Sequence, residues 1–567
     1  MDSRTGLAEV LRTLQRIVSS PDLAVSRHLV PSDGNEPADR FPVLPRNIPT
    51  LPLPKLGQRI ASSSSGDQQR RADDDDTLEG LTTHLTTTIL PYLNLSSLSP
   101  SYYGFVTGGA TPAALLGEFL SSIYDQNVQV HLPRETVATT LEVATLNLLV
   151  QLFRLPEAEW EIGRRGSGGG GTFTTGATAS NVLGLALGRE FVLRKALQRR
   201  EGFSEADWSC GEHGVPELMY QAGLRKIQVL STLPHSSIAK AASIVGIGRK
   251  NVISISSSQA DPLQIDLARL REEAAKPGVV NILAISAGEV NTGRFATDSL
   301  DQMTRIRRIC DEFGIWIHVD GAFGLFGRVF SPDDPGHEEF DAVIRGVDGI
   351  ELADSITGDC HKLLNVPYDC GVFFTRHKTL SEDVFRNGNA AYLTGAATAT
   401  TTTAALTSST SKGNRVGDVY DAIQSPLNIG IENSRRFRAL PVYATLMAYG
   451  RTGYLEMLRR QIRLARRVSG WLLREERFDL LPARSVGETE QDALAKTFIV
   501  VLFRVKDEGL MRDFVTRVNE TGKIYITGTV WDGKPAARIA ISNWQVDLER
   551  DAKLIEEVLD QVAGARR

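Results

Sequence analysis

From about residue 80 to residue 390 the chain alternates between short, nearly continuous apolar runs and longer stretches in which apolar residues recur every three or four positions. The run "GIWIHVD", residues 314–320, is of the first kind and predicts a strand covered on both faces. The stretch "LDQMTRIRRICDEFG" is of the second: Met303, Ile306, Ile309 and Phe313 keep helical spacing. Strand and helix in alternation predict an α/β unit with a parallel sheet and helices on its faces. In such sheets ligands gather at the carboxyl ends of the strands.

The flanking regions follow other patterns. Residues 1 to about 55 read as a helix followed by the Pro-rich extended segment "FPVLPRNIPTLPLPKL", and "ASSSSGDQQRRADDDD" has the composition of a disordered linker. Between about 393 and 416, "LTGAATATTTTAALTSSTSKG" is too small and polar to bury much and predicts a mobile loop. Helical segments from "ENSRRFRALPVYATLMAYG" onward, the strand "TFIVVLFRV" and the amphipathic "DLERDAKLIEEVLDQV" outline a second, smaller α/β domain. The expected division is 1–80 for the N-terminal segments, 81–425 for the large domain and 426–567 for the small one. No internal repeat interrupts it.

Composition narrows the function. With 567 residues, 42% of them apolar and 23% charged, the chain can build a large core and more than one domain. A net charge of −5 points away from nucleic acid or an anionic membrane and toward small molecules as partners. No run is long enough to span a bilayer, and the charged, helical opening "MDSRTGLAEVLRTLQRIVSS" is no secretory signal. Four cysteines without a CxxC pair fit a reducing compartment, so a cytoplasmic location is expected. The acidic run Asp73 to Asp76 reads as a solvated stretch, and no metal is expected.

Two motifs mislead. "GSGGGG", Gly166 to Gly171, satisfies G-x-G-x-x-G, with Glu190 roughly where a ribose-binding acid would fall, but "PEAEWEIGRR" ahead of it is no buried strand. "SIAK", Ser237 to Lys240, matches S-x-x-K, yet neither K-T-G nor S-D-N follows.

Four other stretches converge on one chemistry. In "SITGDCHKLLNVPYDCGVFF" Lys362 sits in a small, apolar run, where loss of hydration either costs stability or lowers the lysine's pKa so that it becomes a nucleophile. "GTFTTGATASNVLGLALGRE" is a Gly/Thr-rich turn feeding an apolar helix, whose first N–H groups and Thr178 hydroxyl would hold a phosphate; the same pattern also serves as an ordinary helix cap. "IHVDGAFG" ends a strand in Asp320, a carboxylate that either partners a protonated pyridine nitrogen or caps the next turn. "STLPHSSIAKAASIVGIG" places His235 before a helix, as a ring-stacking imidazole or a structural histidine. Amine, anion cradle, carboxylate and flat aromatic together are the requirements of pyridoxal 5′-phosphate (PLP), with Lys362 as the imine-forming lysine.

From about residue 80 to the end, and most specifically around "HVDGAFG" and "DCHKLLNVPYDCG", the chain resembles the group II PLP-dependent amino-acid decarboxylases, which act on aromatic amino acids, glutamate, tyrosine and diaminobutyrate. The resemblance implies the fold-type I, aminotransferase-like architecture: a large mixed domain centred on a parallel sheet and a small C-terminal α/β domain. It implies that Thr178 and Ala179 form the phosphate turn, that His235 stacks on the ring and that Asp320 pairs with its nitrogen. It places Ala322 against the ring, with His361 preceding the lysine. Asp359 stands where animal members carry asparagine, and a carboxylate there would repel a phosphate unless a proton or donor intervenes. Leu363 stands where many members carry an aromatic residue. "SPSYYGFVTGGATPAALLGEFLSSIYDQNVQVHLP" is similar to the family's substrate-side segment, including Thr107. A homodimer with shared active sites is implied, in which residues near 102–107 and 129–132 serve the neighbouring subunit.

The expected reaction is decarboxylation of an L-amino acid to the amine and CO2. The same scaffold also supports oxidative deamination to an aldehyde, aldol-type cleavage or Cβ chemistry, and an inactive dimeric scaffold is a further alternative. Tyr103 and Phe105, beside Tyr102, read as pocket-lining aromatics or as core. Arg538 in "ARIAISNW" lines up with an arginine that binds the α-carboxylate in the glutamate-decarboxylase branch, the other reading being a surface arginine at the start of a strand. Tyr392 in "NAAYLTG" stands at the spacing of the tyrosine that reprotonates carbon after CO2 leaves, and where a phenylalanine diverts the chemistry to the aldehyde; an exposed loop tyrosine is the plainer reading.

Overall fold

The computed structural model describes residues 3–20, 23, 42–45, 47–50, 74–200, 208–257, 262–387, 422–485 and 487–564. Tyr392, the predicted loop at 393–416, Asp73 and most of the Ser/Asp-rich linker lie outside the described residues. The last aspartates of the acidic run open a helix, Asp74–His84, in place of the linker expected there.

Seven strands form the central sheet: β1 (Gly170–Thr174), β2 (Lys226–Ser231), β3 (Val252–Ser254), β4 (Val279–Ser286), β5 (Trp316–Asp320), β6 (Ser355–Asp359) and β7 (Gly371–Thr375). Their order is β1-β7-β6-β5-β4-β2-β3, and β7 alone runs antiparallel to its neighbours. Every residue of β1, β5, β6 and β7 is buried, because helices cover both faces. The helix Leu300–Phe313 buries Met303, Ile306 and Ile309 on one face, as its spacing predicts, and Gly314 ends it in the left-handed conformation before β5 begins. Large side chains such as Trp316, Phe373 and Phe374 are sealed from water, each stabilising the fold by roughly 1.5–3 kcal/mol.

A long helical stretch, Ala439–Arg474, bends at Gly450 and leads to a second, antiparallel sheet: β8 (Phe478–Leu481), β9 (Val500–Val505), β10 (Thr527–Trp531) and β11 (Lys534–Ala540), ordered β10-β11-β9-β8. Helices Glu508–Glu520 and Leu548–Gly564 close its core. The architecture is the expected fold type I, with the large sheet mostly parallel and the small unit α/β. Glycines 168–171 lead into β1 rather than following a strand, so no dinucleotide turn forms there. Among the described residues no helix is long and apolar enough to cross a membrane.

Candidate active site

Three parallel strands and the connection after β1 deliver the predicted residues to one edge of the large sheet. β5 ends at Asp320, β6 ends at Asp359, and β2 ends four residues before His235. The helix Ala177–Gln198 starts beside them.

After β6 the chain makes a single helical turn, Cys360–Leu363, that carries Lys362. His361 pins this turn to β7: its backbone N–H donates to the Cys370 carbonyl at 3.0 Å, and its Nδ1 accepts from the Cys370 N–H at 3.2 Å. Its ring lies 4.5 Å from that of Tyr368, centroid to centroid, and burial pushes its pKa down. Lys362 Nζ lies 2.9 Å from Asp359 Oδ2 and 5.8 Å from the centre of the Phe323 ring. The other Asp359 oxygen accepts the Ala177 N–H at 2.6 Å, at the start of the helix Ala177–Gln198. The next N–H groups, of Thr178 and Ala179, have no acceptor within the helix and face the same space. Gly108 packs so closely on this turn that a Cβ there would lie 1.9 Å from the Lys362 carbonyl oxygen. Leu363, in place of an aromatic residue, is buried in the main core.

Asp320 is buried and hydrogen-bonded on both oxygens: Oδ2 accepts from Asn181 Nδ2 at 2.8 Å, and Oδ1 accepts from the Ala322 N–H at 3.3 Å. His235 caps the helix Ser236–Ile244, its Nδ1 meeting the Ser237 N–H at 3.2 Å and the Ser237 hydroxyl at 2.7 Å. The structural role weighed for this histidine is therefore present, and its ring still faces the cavity.

A cavity of about 480 Å³ is lined by Phe105, Thr178, Ala179, His235, Asp320, Ala322, Asp359, His361, Lys362 and Arg538. Thr107 stands behind this wall, its hydroxyl 3.2 Å from that of the lining Tyr368. Tyr103 does not line the cavity. Its N–H donates to the Tyr525 carbonyl and its carbonyl accepts from Ala540, which turns the side chain into the small-unit core and removes it from the substrate-facing set. Arg538 lies within β11 and is only 6% exposed, so it is no surface residue. Its Nε donates to the Val290 carbonyl at 2.7 Å and its Nη1 to the Gly104 carbonyl at 2.8 Å. Burial pulls its pKa down to about 10, with Glu289 acting in the opposite direction.

Asn181 and Tyr368 join the site without having been singled out in the sequence, and so does Ser237, named there only as the first residue of the misleading S-x-x-K match. Asn181 and Ser237 did leave a trace as polar positions on otherwise apolar helical stretches; Tyr368 left none. Among the described residues no group of His, Cys, Asp or Glu is arranged to hold a metal ion.

Residues 62–489 match the pyridoxal-dependent decarboxylase conserved domain, three quarters of the chain. The chain belongs to the pyridoxal-dependent decarboxylases. It is thus a PLP-dependent enzyme of the carboxy-lyase class. It is 26% identical over 361 residues to an L-2,4-diaminobutyrate decarboxylase of Acinetobacter baumannii, an alignment covering 63% of this chain and 59% of that protein. Its fold is similar to that of Oryza sativa TDC solved with PLP and tryptamine (TM-score 0.69, 20% identity, 99% and 98% of the two chains). It is equally similar to that of the Rhodiola rosea 4-hydroxyphenylacetaldehyde synthase (TM-score 0.70, 20% identity, 100% and 99%).

The decarboxylase's own residues fit PLP. The cavity has room for a substituted pyridine, N–H groups at a helix start for the phosphate, a buried carboxylate with no cation beside it among the described residues, and a primary amine.

Proposed function

We propose that this enzyme decarboxylates an L-amino acid to the amine and CO2, with Lys362 as the lysine that holds PLP covalently between turnovers. The observation that carries the reading is the meeting of Lys362 and Asp320 in one cavity with the N-terminal turn of the helix Ala177–Gln198. PLP bound there supplies an aldehyde that condenses with amines and a protonated ring that accepts the electron pair left by departing CO2.

The protein's part is positioning and charge. Thr178 and Ala179 cradle the phosphate, and the Asp320 carboxylate faces the ring nitrogen and keeps its proton. His235 and Ala322, the latter small enough to allow close approach, line the cavity and would hold the ring between them. Lys362, held at the cavity wall by Asp359, would supply the primary amine that binds the cofactor. Arg538, anchored by two backbone carbonyls and without a carboxylate partner among the described residues, presents its free N–H groups to the substrate's carboxylate. Tyr392, outside the described residues, is the proposed proton donor to carbon after CO2 leaves.

Phe105 is 60% exposed although it lines the cavity, and Leu116, Phe119 and Tyr124 of the neighbouring helix Pro112–Tyr124 are exposed as well. These apolar residues support a homodimer in which the segment near Phe105 closes the partner's site. Mixing a Lys362→Ala chain with a Phe105→Arg chain would then restore part of the activity; no recovery despite subunit exchange would exclude shared sites. The free cysteines fit a reducing, cytoplasmic setting.

Since the same fold serves an aldehyde synthase, the reaction outcome rests on residues rather than on architecture. Incubating the PLP-loaded enzyme with a panel of L-amino acids and measuring CO2, amine, aldehyde and peroxide tests the proposal. CO2 with amine in equal amounts is the expected result, and CO2 with aldehyde and peroxide would replace it with the aldehyde-forming reaction.

A further inference from the structure

Behind Asp320 the structure holds a line of buried polar side chains that the proposed reaction leaves unused. Trp316 Nε1 donates to Ser355 Oγ at 3.1 Å, Ser355 Oγ meets His318 Nδ1 at 2.8 Å, and His318 Nε2 meets Asn181 Oδ1 at 2.8 Å. From Asn181 the line forks, for its Nδ2 reaches Asp320 Oδ2 at 2.8 Å and Ser237 Oγ at 3.0 Å. Ser237 in turn meets His235 Nδ1 at 2.7 Å. Trp316, His318, Ser355 and Asn181 are fully buried, so water cannot stand in for any of these partners.

Chemistry leaves one direction for every proton. An indole N–H only donates, so Ser355 accepts from Trp316 and its own hydrogen is free for His318 Nδ1. At the other end an ionised carboxylate only accepts, so Asn181 turns its amide nitrogen to Asp320 and its oxygen to His318, which must donate from Nε2. His318 therefore carries a proton on Nε2, and burial, opposed by the nearby Asp320, pushes its pKa down to about 4, which keeps the ring neutral and leaves Nδ1 to accept the Ser355 hydrogen. On the other branch Asn181 donates to Ser237 Oγ, which lies beside His235 Nδ1, while the Ser237 N–H makes that Nδ1 an acceptor. Gly184 makes room for this arrangement, since a Cβ there would lie 2.3 Å from His318 Nδ1.

We infer that His318 is a positioning residue: through Asn181 it holds the Asp320 carboxylate aimed at the cavity, and through Asn181 and Ser237 it orients the His235 ring. The role rests on the proposed PLP site, in which Asp320 and His235 are the groups that touch the ring. One buried imidazole thereby sets the electrostatics below the ring edge and the orientation of the group above its face.

The test uses the PLP-loaded enzyme and two readouts apart from turnover: the dissociation constant of PLP from fluorescence quenching, and the pH dependence of the bound cofactor's visible absorbance. His318→Phe keeps a ring against Gly184 but removes both hydrogen bonds. It should weaken PLP binding on the order of tenfold, as loss of outer hydrogen-bond partners does at liganded sites, and shift the midpoint of the absorbance titration. His318→Gln, which can still donate to Asn181 Oδ1, should recover most of both. An unchanged midpoint and affinity in His318→Phe would overturn the inference. Should that variant not fold, Ser355→Ala, which frees His318 Nδ1 without changing the ring, should move the midpoint in the same direction, and no movement there would equally overturn it. If the parent protein shows no visible band with PLP at all, the functional proposal falls first and this inference with it.

Discussion

Asp359 and Lys362 form an ion pair at 2.9 Å at the start of the helix Ala177–Gln198, where the other Asp359 oxygen takes the Ala177 N–H at 2.6 Å. The carboxylate meets the same positive helix end that, in the proposed site, would attract the cofactor's phosphate. Two effects oppose each other. The pair holds Lys362 at the cavity wall, while a fixed negative charge beside a phosphate repels it.

For Asp359→Asn the charge term decides the affinity, because the amide oxygen can still accept the Ala177 N–H. Charges at helix starts contribute about 0.3–1 kcal/mol, so PLP should bind up to about fivefold more tightly in the variant at low salt. Raising the ionic strength should shrink the difference. A fluorescence titration measures it, and weaker binding in Asp359→Asn would mean that anchoring Lys362 outweighs repulsion.

Asp320→Asn keeps a hydrogen-bond acceptor near Asn181 but removes the charge that, on the proposal, retains the ring proton. Turnover should fall by at least about a hundredfold, the scale on which fixed charges at reacting groups act, while the melting temperature stays within a few degrees. Near-normal turnover would reduce Asp320 to the turn cap that its bond to the Ala322 N–H also makes it.

Much of this was legible before any coordinates. The strand ending in Asp320 and the turn carrying Lys362 announce themselves because a charged residue at the end of an apolar run needs a reason. Tyr103 went the other way: its spacing from Phe105 resembles a pocket wall, but pairing of its backbone with Tyr525 and Ala540 decides which side chain faces inward, and that pairing joins residues more than four hundred positions apart. Arg538 is another such case, since its burial depends on Val290 and Gly104 coming from elsewhere in the chain. The line from Trp316 to Asp320 was hidden for a similar reason, its members being spread over β5, β6 and the helix Ala177–Gln198.

His318 makes stability pH-dependent. Its folded pKa of about 4 lies below its ordinary value of 6.5, so the unfolded chain binds a proton that the folded one refuses between those limits. Stability contributed by the neutral imidazole is complete above about 6.5 and declines as the pH falls toward 4. Thermal melts from pH 7 to 4 should therefore fall less steeply for His318→Gln than for the parent. Equal slopes would show that His318 titrates normally.

Tyr392→Phe should keep PLP and substrate binding but lose amine formation, because no positioned acid then protonates the carbon that CO2 leaves. Molecular oxygen becomes the competing oxidant, with aldehyde, ammonia and peroxide as products. Product analysis by chromatography and a peroxide assay checks this; amine at the parent's rate would remove Tyr392 from the reaction.

The central claim is that Lys362 is the residue that carries PLP. Reducing the PLP-loaded enzyme with borohydride, digesting it and mapping the pyridoxyl-bearing peptide by mass spectrometry tests that claim most directly. The expected product is a single modified peptide spanning "DCHKLLNVPYDCG" with the added mass on Lys362. A pyridoxyl group on any other lysine, or on none in a protein that has bound PLP, would contradict it.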